Sequence, residues 1–86
     1  MRDKVVVITG ASGGIGAEVA RIVGREGGRP VLAARREREL LQVTALSGPS
    51  ALAVIADVTR REEVRRILIA AIERFGAIDV WINNAG

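Results

Sequence analysis

An α/β fold with a parallel sheet is predicted by three features of this 86-residue sequence. Four short apolar runs, rich in β-branched residues, alternate with three longer segments of helical periodicity. That is the pattern of strands joined by crossover helices. Glycine or a turn cluster punctuates the junctions. The C-terminal end of every apolar run is polar or glycine-rich, and in a parallel sheet those ends gather on one rim.

The elements follow in order. Residues 5–8 (Val-Val-Val-Ile) are too short for a helix and read as a buried strand ended by Thr9 and Gly10. From Ile15 the apolar spacing turns helical, with Ile15, Val19, Ile22 and Val23 on one face of a helix over residues 14–26. Gly24 weakens that helix by up to ~1 kcal/mol relative to alanine, and Gly27 with Gly28 stops it. Residues 30–34 form a second strand, with Pro30 at its first position because proline cannot donate to a ladder. A second helix covers 36–46, turning Leu40, Leu41 and Val43 to the sheet, and Ser47-Gly48-Pro49-Ser50 is a turn. Residues 51–55 are a third strand. Thr59 opens the third helix with a capping box to Glu62, and Val64, Ile67, Leu68, Ala71, Ile72 and Phe75 share its buried face up to Gly76. A fourth strand, 78–82, runs into Asn83-Asn84-Ala85-Gly86. The expected order across the sheet is 3-2-1-4, a Rossmann-type three-layer α/β/α arrangement forming the N-terminal half of a doubly wound fold. One domain at most fits residues 1–86, and at this length only roughly 60–65% of the unfolded surface is buried, so stability is marginal.

Composition excludes several classes of function. The chain has no cysteine and no histidine, which removes disulfides, thiolate metal sites and the usual neutral-pH base. The formal net charge is +3, and Lys4 is the one lysine among the basic residues. The arginines alternate with glutamates along the helices, as at Arg61, Glu62, Glu63, Arg65 and Arg66, the pattern of a solvated, paired face. With aromatics limited to Phe75 and Trp81 there is no stacking platform for single-stranded nucleic acid. No apolar run approaches ~18 residues, so no membrane span is expected. The first strand begins almost at once, which leaves no room for a signal peptide and predicts the cytoplasm.

Function concentrates where the first strand hands over to the first helix. The first N–H groups of a helix lack partners, its dipole is positive there, and glycines let an anion approach the backbone. The spacing is Thr9-Gly10-x-x-x-Gly14-x-Gly16, with Ile15 between the last two glycines. It resembles the TGxxxGIG coenzyme fingerprint of the short-chain dehydrogenase/reductase (SDR) family. Asp57-Val58 after the third strand and Asn83-Asn84-Ala85-Gly86 after the fourth are similar to further pieces of the same family pattern. The resemblance implies a dinucleotide coenzyme, with its pyrophosphate over Gly10, Gly13, Gly14, Ile15 and Gly16. Ser12 would add a hydroxyl donor, or else be a plain turn residue. By the same resemblance the Asp57 carboxylate takes the adenine amine and the Val58 N–H a ring nitrogen. Asp57 also reads as a turn or cap aspartate. Asn83 would tie neighbouring strands near the adenosine, and Ala85 and Gly86 would let the coenzyme pass close to the backbone.

The end of the second strand selects the coenzyme. A carboxylate there binds a ribose 2′-OH, whereas a 2′-phosphate needs arginine. Here the sequence is Ala34-Arg35-Arg36, with no carboxylate before Glu37. NADP(H) is therefore expected over NAD(H), with Arg35 the first candidate and Arg36 the second, the alternative being two solvated arginines. The resemblance places the family's catalytic serine, tyrosine and lysine beyond Asn83–Gly86. This chain contains no tyrosine, and Lys4 lies before the first strand, at the far end of the sheet. The expectation is a partial coenzyme-binding domain that ends before the catalytic segment and performs no catalysis itself. The intact protein would act on alcohols or carbonyls. The alternative is a non-catalytic module that binds a dinucleotide or a partner. Residues 78–82 would form an exposed apolar edge through which chains self-associate.

Overall fold

The computed structural model describes residues 1–84. It contains β1 (Val5–Thr9), α1 (Gly14–Arg25), β2 (Arg29–Ala34), α2 (Glu37–Ala45), β3 (Leu52–Ile55), α3 (Arg61–Phe75) and β4 (Val80–Ile82). The strands make one parallel sheet in the order β3-β2-β1-β4, as the alternation of elements implied.

Strand alternation divides the core into two layers. Val6, Ile8, Leu32 and Ala34 face α1 and α2 with Ala17, Ala20, Val23, Leu40 and Val43. Val5, Val7, Val31, Ala33 and Val54 face α3 with Ile67 and Ala71. Both faces of β1 and β2 are thus buried, which explains why these strands are apolar without interruption.

Three boundaries differ from the sequence expectation for identifiable reasons. Strand β2 begins at Arg29, so Pro30 is its second residue. The Arg29 N–H donates to the Lys4 carbonyl of the neighbouring chain segment at 2.8 Å. Pro30 then faces the other side, where pairing with β3 starts only at Val31 opposite Leu52, so its missing donor costs no ladder bond. Strand β4 starts two residues late because Asp79 substitutes its side chain for the ladder. Its Oδ2 accepts the Val5 N–H at 2.8 Å, while its own N–H donates to the Val5 carbonyl at 2.9 Å. Finally, α3 opens at Arg61, with Arg60 at its N-cap and no side-chain cap bond. The expected capping box of Thr59 with Glu62 is not formed.

The buried helix faces also differ. On α1 the residues against the sheet are Gly16, Ala17, Ala20 and Val23, whereas Ile15 is 76% exposed and Ile22 is also exposed. The helix approaches too closely for larger side chains. Gly24 shows the same constraint, since a Cβ there would overlap the Ser47 carbonyl in the turn after α2. That glycine therefore serves packing, at the propensity cost expected from sequence. On α2, Leu40 and Val43 are buried and Leu41 is exposed. On α3, Ile67 and Ala71 are buried, Val64 and Phe75 are half-buried, and Leu68 and Ile72 are exposed.

Candidate functional site

The turn between β1 and α1 carries its glycines for two distinct reasons. Gly10 and Gly14 have positive φ of 65° and 60°, a backbone conformation that favours glycine. Gly13 is the extended N-cap of α1 with no side-chain cap bond, so the first N–H groups of the helix face the turn without a capping side chain. A Cβ on Gly13 or Gly14 would meet nothing within 4 Å. Around Gly16 there is no such room, because a Cβ would lie 2.6 Å from both the Gly10 carbonyl oxygen and Asn84 Nδ2. Two glycines keep an open space above the turn, and the third lets the helix seat against the strand exits. Ile15 sits between them, pointing largely into solvent.

Beside this turn lies a cleft of about 290 Å³. It gathers Gly10 and Ser12 after β1, Arg35 and Arg36 after β2, and Asp57, Val58 and Thr59 after β3. The strand exits are laced together below it. The Ala11 N–H donates to the Ala33 carbonyl at 3.2 Å and the Ala56 N–H to the Ala34 carbonyl at 2.9 Å. Arg35 and Arg36 are exposed, and neither guanidinium forms an ion pair among the described residues.

Asp57 is held in a tight turn. Its Oδ1 accepts from Thr59 Oγ1 at 2.6 Å and from the Thr59 N–H at 3.0 Å. These bonds, led by the hydroxyl, hold its carboxyl below the ordinary carboxylate value, and the nearby Arg35 and Arg60 act in the same direction. Asp57 is therefore an anion at neutral pH, and the turn it closes is intact above the ordinary carboxylate range. Protonation undoes that turn only as pH falls through the lowered folded value. Thr59, expected to cap α3, instead serves Asp57. The carboxylate that reaches back from α3 is Glu63, whose Oε1 accepts the Asp57 N–H at 3.1 Å. Glu62 pairs with Arg60 at 3.2 Å.

The far end of the rim is organised by Thr9. This buried hydroxyl donates to Asn83 Oδ1 at 3.1 Å and accepts the Asn84 N–H at 3.0 Å. Asn84 Nδ2 donates to the Gly10 carbonyl at 3.3 Å. Asn83 does tie β4 to β1, but it does not line the cleft. Asn84 is the residue that fixes the glycine turn, a role the sequence reading did not assign it. The expected contributions of Ala85 and Gly86 lie outside the described residues. From sequence Thr9 read as the strand terminator and the first residue of the glycine fingerprint, with no bonding partner assigned to it. Its one available signal was its position immediately before the glycine turn.

The two classes of glycine separate in a thermal melt. Gly16→Ala should cost roughly 1–3 kcal/mol of overpacking, lowering the melting temperature by several degrees in a domain of this size. Gly13→Ala should stay within about 1 kcal/mol, the N-cap preference alone. Equal losses from the two substitutions would contradict the division of roles.

Comparison with known proteins points the same way. The family model for short chain dehydrogenase matches residues 4–86. An uncharacterised oxidoreductase of Bacillus subtilis is 46% identical over 88 residues, covering 99% of this chain and 25% of that protein. Among solved structures, an actinorhodin polyketide ketoreductase variant with NADPH superposes with a TM-score of 0.91 at 38% identity, covering 100% of this chain and 35% of the other. A 3-ketoacyl-(acyl-carrier-protein) reductase of Brucella melitensis complexed with NADH gives 0.89 at 32% identity, covering 93% of this chain and 33% of the other. The chain thus spans about a quarter to a third of the length of these proteins. Two of them hold a nicotinamide dinucleotide, in one case NADH and in the other NADPH. With a family model that covers nearly its whole length, a parallel sheet in the matching order and a glycine turn open to an anion, the chain belongs to the short-chain dehydrogenase/reductase family and corresponds to its N-terminal portion.

Proposed function

We propose that these residues are the coenzyme-binding portion of an NADP(H)-dependent oxidoreductase that interconverts alcohols and carbonyls. The observation that carries the coenzyme choice is the wall of the cleft after β2. Arg35 and Arg36 stand there, and no carboxylate intervenes before Glu37. A carboxylate would repel a ribose 2′-phosphate, whereas a guanidinium fork matches it with paired N–H donors. Neither arginine forms an ion pair among the described residues, and the acid that feels Arg35 is Asp57, which lines the same cleft.

The remaining assignments run along the rim. Gly13, Gly14, Ile15 and Gly16 at the start of α1 would hold the pyrophosphate, beside the cleft that Gly10 and Ser12 line, with Ser12 as a hydroxyl donor. Asp57 offers a carboxylate and Val58 a backbone N–H to the adenine. Asn83, which does not line the cleft, would act on the adenosine side only by holding the exits of β1 and β4 together through Thr9. Bound there, the coenzyme supplies a hydride. The proton that must accompany it has no donor in this sequence, which lacks tyrosine and histidine and carries its lone lysine at the opposite end of the sheet. The 86 residues by themselves are therefore proposed to bind coenzyme without turnover.

Titration of the chain with NADPH and NADH tests the coenzyme. NADPH should bind at least tenfold more tightly, the scale of one hydrogen bond to a charged group, and Arg35→Asp should abolish or invert that preference. A wild-type preference for NADH would overturn it.

A second proposal concerns association. Strand β4 is the last strand at its edge of the sheet, Val80 is 43% exposed, and Leu68 and Ile72 of α3 are exposed as well. An apolar edge of this kind recruits another strand, and we assign it to self-association of this chain. Sedimentation at increasing concentration should show species heavier than the 9.1 kDa chain. A stable monomer at the highest concentration would refute the assignment.

A further inference from the structure

Helix α3 carries one carboxylate whose bonds leave its own helix and run to the rim of the cleft. Glu63 is the third residue of α3, where negative charge is favoured by the helix dipole. A carboxylate at that position ordinarily reaches back to the N-cap N–H. Here it passes beyond Arg60 and accepts the N–H of Asp57 at 3.1 Å. Arg66, one turn along the same helix, lies 3.4 Å from Glu63 Oε1 and donates to the carbonyl of Ile55, the last residue of β3. The Arg66–Glu63 pair thus grips the backbone on both sides of Ala56, whose own N–H is held by Ala34. Beyond it, Asp57 Oδ1 is closed onto Thr59. Val58 lies between these two fixed points and packs its side chain against the α3 layer of the core.

This arrangement is more than a helix cap. The bonds that would have capped α3 are spent on the exit of β3, and α3 begins with no side-chain cap. We propose that Glu63 is a positioning residue for the adenine end of the coenzyme. Its carboxylate sets the backbone at Asp57, so that the free Asp57 oxygen and the Val58 N–H are presented together to the edge of the base. The proposal rests on the dinucleotide reading given above. The side chain does not line the cleft. It acts through the Asp57 amide.

The test uses two probes that occupy different parts of the cleft: adenosine 2′,5′-bisphosphate for the adenine end and inorganic pyrophosphate for the glycine turn. Glu63→Ala should weaken the adenosine probe by roughly three- to tenfold, a charged hydrogen bond discounted for exposure. Pyrophosphate binding should be unchanged. Glu63→Gln, whose amide oxygen can still accept the Asp57 N–H, should recover most of the loss, and the Asp57 amide resonance should shift in the alanine variant but not in the glutamine one. Unchanged adenosine binding in Glu63→Ala, or an equal loss of both probes, would overturn the proposal. Should the alanine variant fail to fold, Arg66→Met carries the same test, with the same selective loss expected and no loss or an unselective loss overturning it. A wild-type chain that binds neither NADPH, NADH nor the adenosine probe would instead remove the dinucleotide reading itself.

Discussion

The contact on which the rest of the site depends is the seating of α1 at Gly16. There the helix backbone comes so near the exits of β1 and β4 that even a methyl group would collide with the Gly10 carbonyl and the Asn84 amide. The contact fixes the height of the helix over the sheet, and the residues that follow it on the same face, Ala17 and Ala20, are correspondingly small. It also fixes where the helix begins. With Gly16 docked, the space where a Cβ of Gly13 or Gly14 would stand is open, and α1 starts without a side-chain cap. An apolar core constraint and an anion-binding geometry are consequences of one packing event.

The rest of the rim is held by backbone bonds between the strand exits and by side chains that fasten its two ends. Ala11, Ala33, Ala34 and Ala56 lace the strand exits. Thr9, Asn83 and Asn84 fasten β4 to the glycine turn on one side. Glu63 and Arg66 fasten the exit of β3 on the other. The groups left over for a ligand are the helix-start amides, two guanidinium groups and one oxygen of Asp57. Cations and N–H donors predominate along this wall, and Asp57 is an anion paired to Thr59 near Arg35. The field at the cleft therefore favours a polyanion with one hydrogen-bond-donating edge.

Much of this was legible in the sequence because it depends on order and chemistry rather than on precise approach. The alternation of β-branched runs with helical segments gave a parallel sheet with right-handed crossovers, and the doubly wound nucleotide-binding arrangement then supplied the order β3-β2-β1-β4. Gly10, Ser12, Arg35, Arg36, Asp57 and Val58 line one cleft, whereas Gly13, Gly14, Ile15 and Gly16 lie beside it and Asn83 does not line it. The helix faces were less legible. Periodicity ranks residues by apolarity, so Ile15, Ile22, Leu41, Leu68 and Ile72 read as core, yet the faces in contact are set by how close each helix lies to the sheet. A close helix selects alanine and glycine, which carry no strong hydrophobic signal. The capping box at Thr59 failed for a related reason. Asp57 competes for the threonine, a local side-chain bond that spacing rules do not weigh. Asn84 and Glu63 stayed invisible because each acts on backbone that is distant in sequence or outside its own helix.

The bare amide hydrogens at the start of α1 are proposed to receive the bridging phosphates of a dinucleotide. The most direct measurement is a ¹H–¹⁵N amide titration of the chain with NADPH. The largest shifts should fall on Gly13, Gly14, Ile15 and Gly16, with a second group at Arg35, Arg36 and Val58. Shifts confined to the β4 edge or to the outer faces of the helices, with the glycine amides unmoved at saturation, would contradict it.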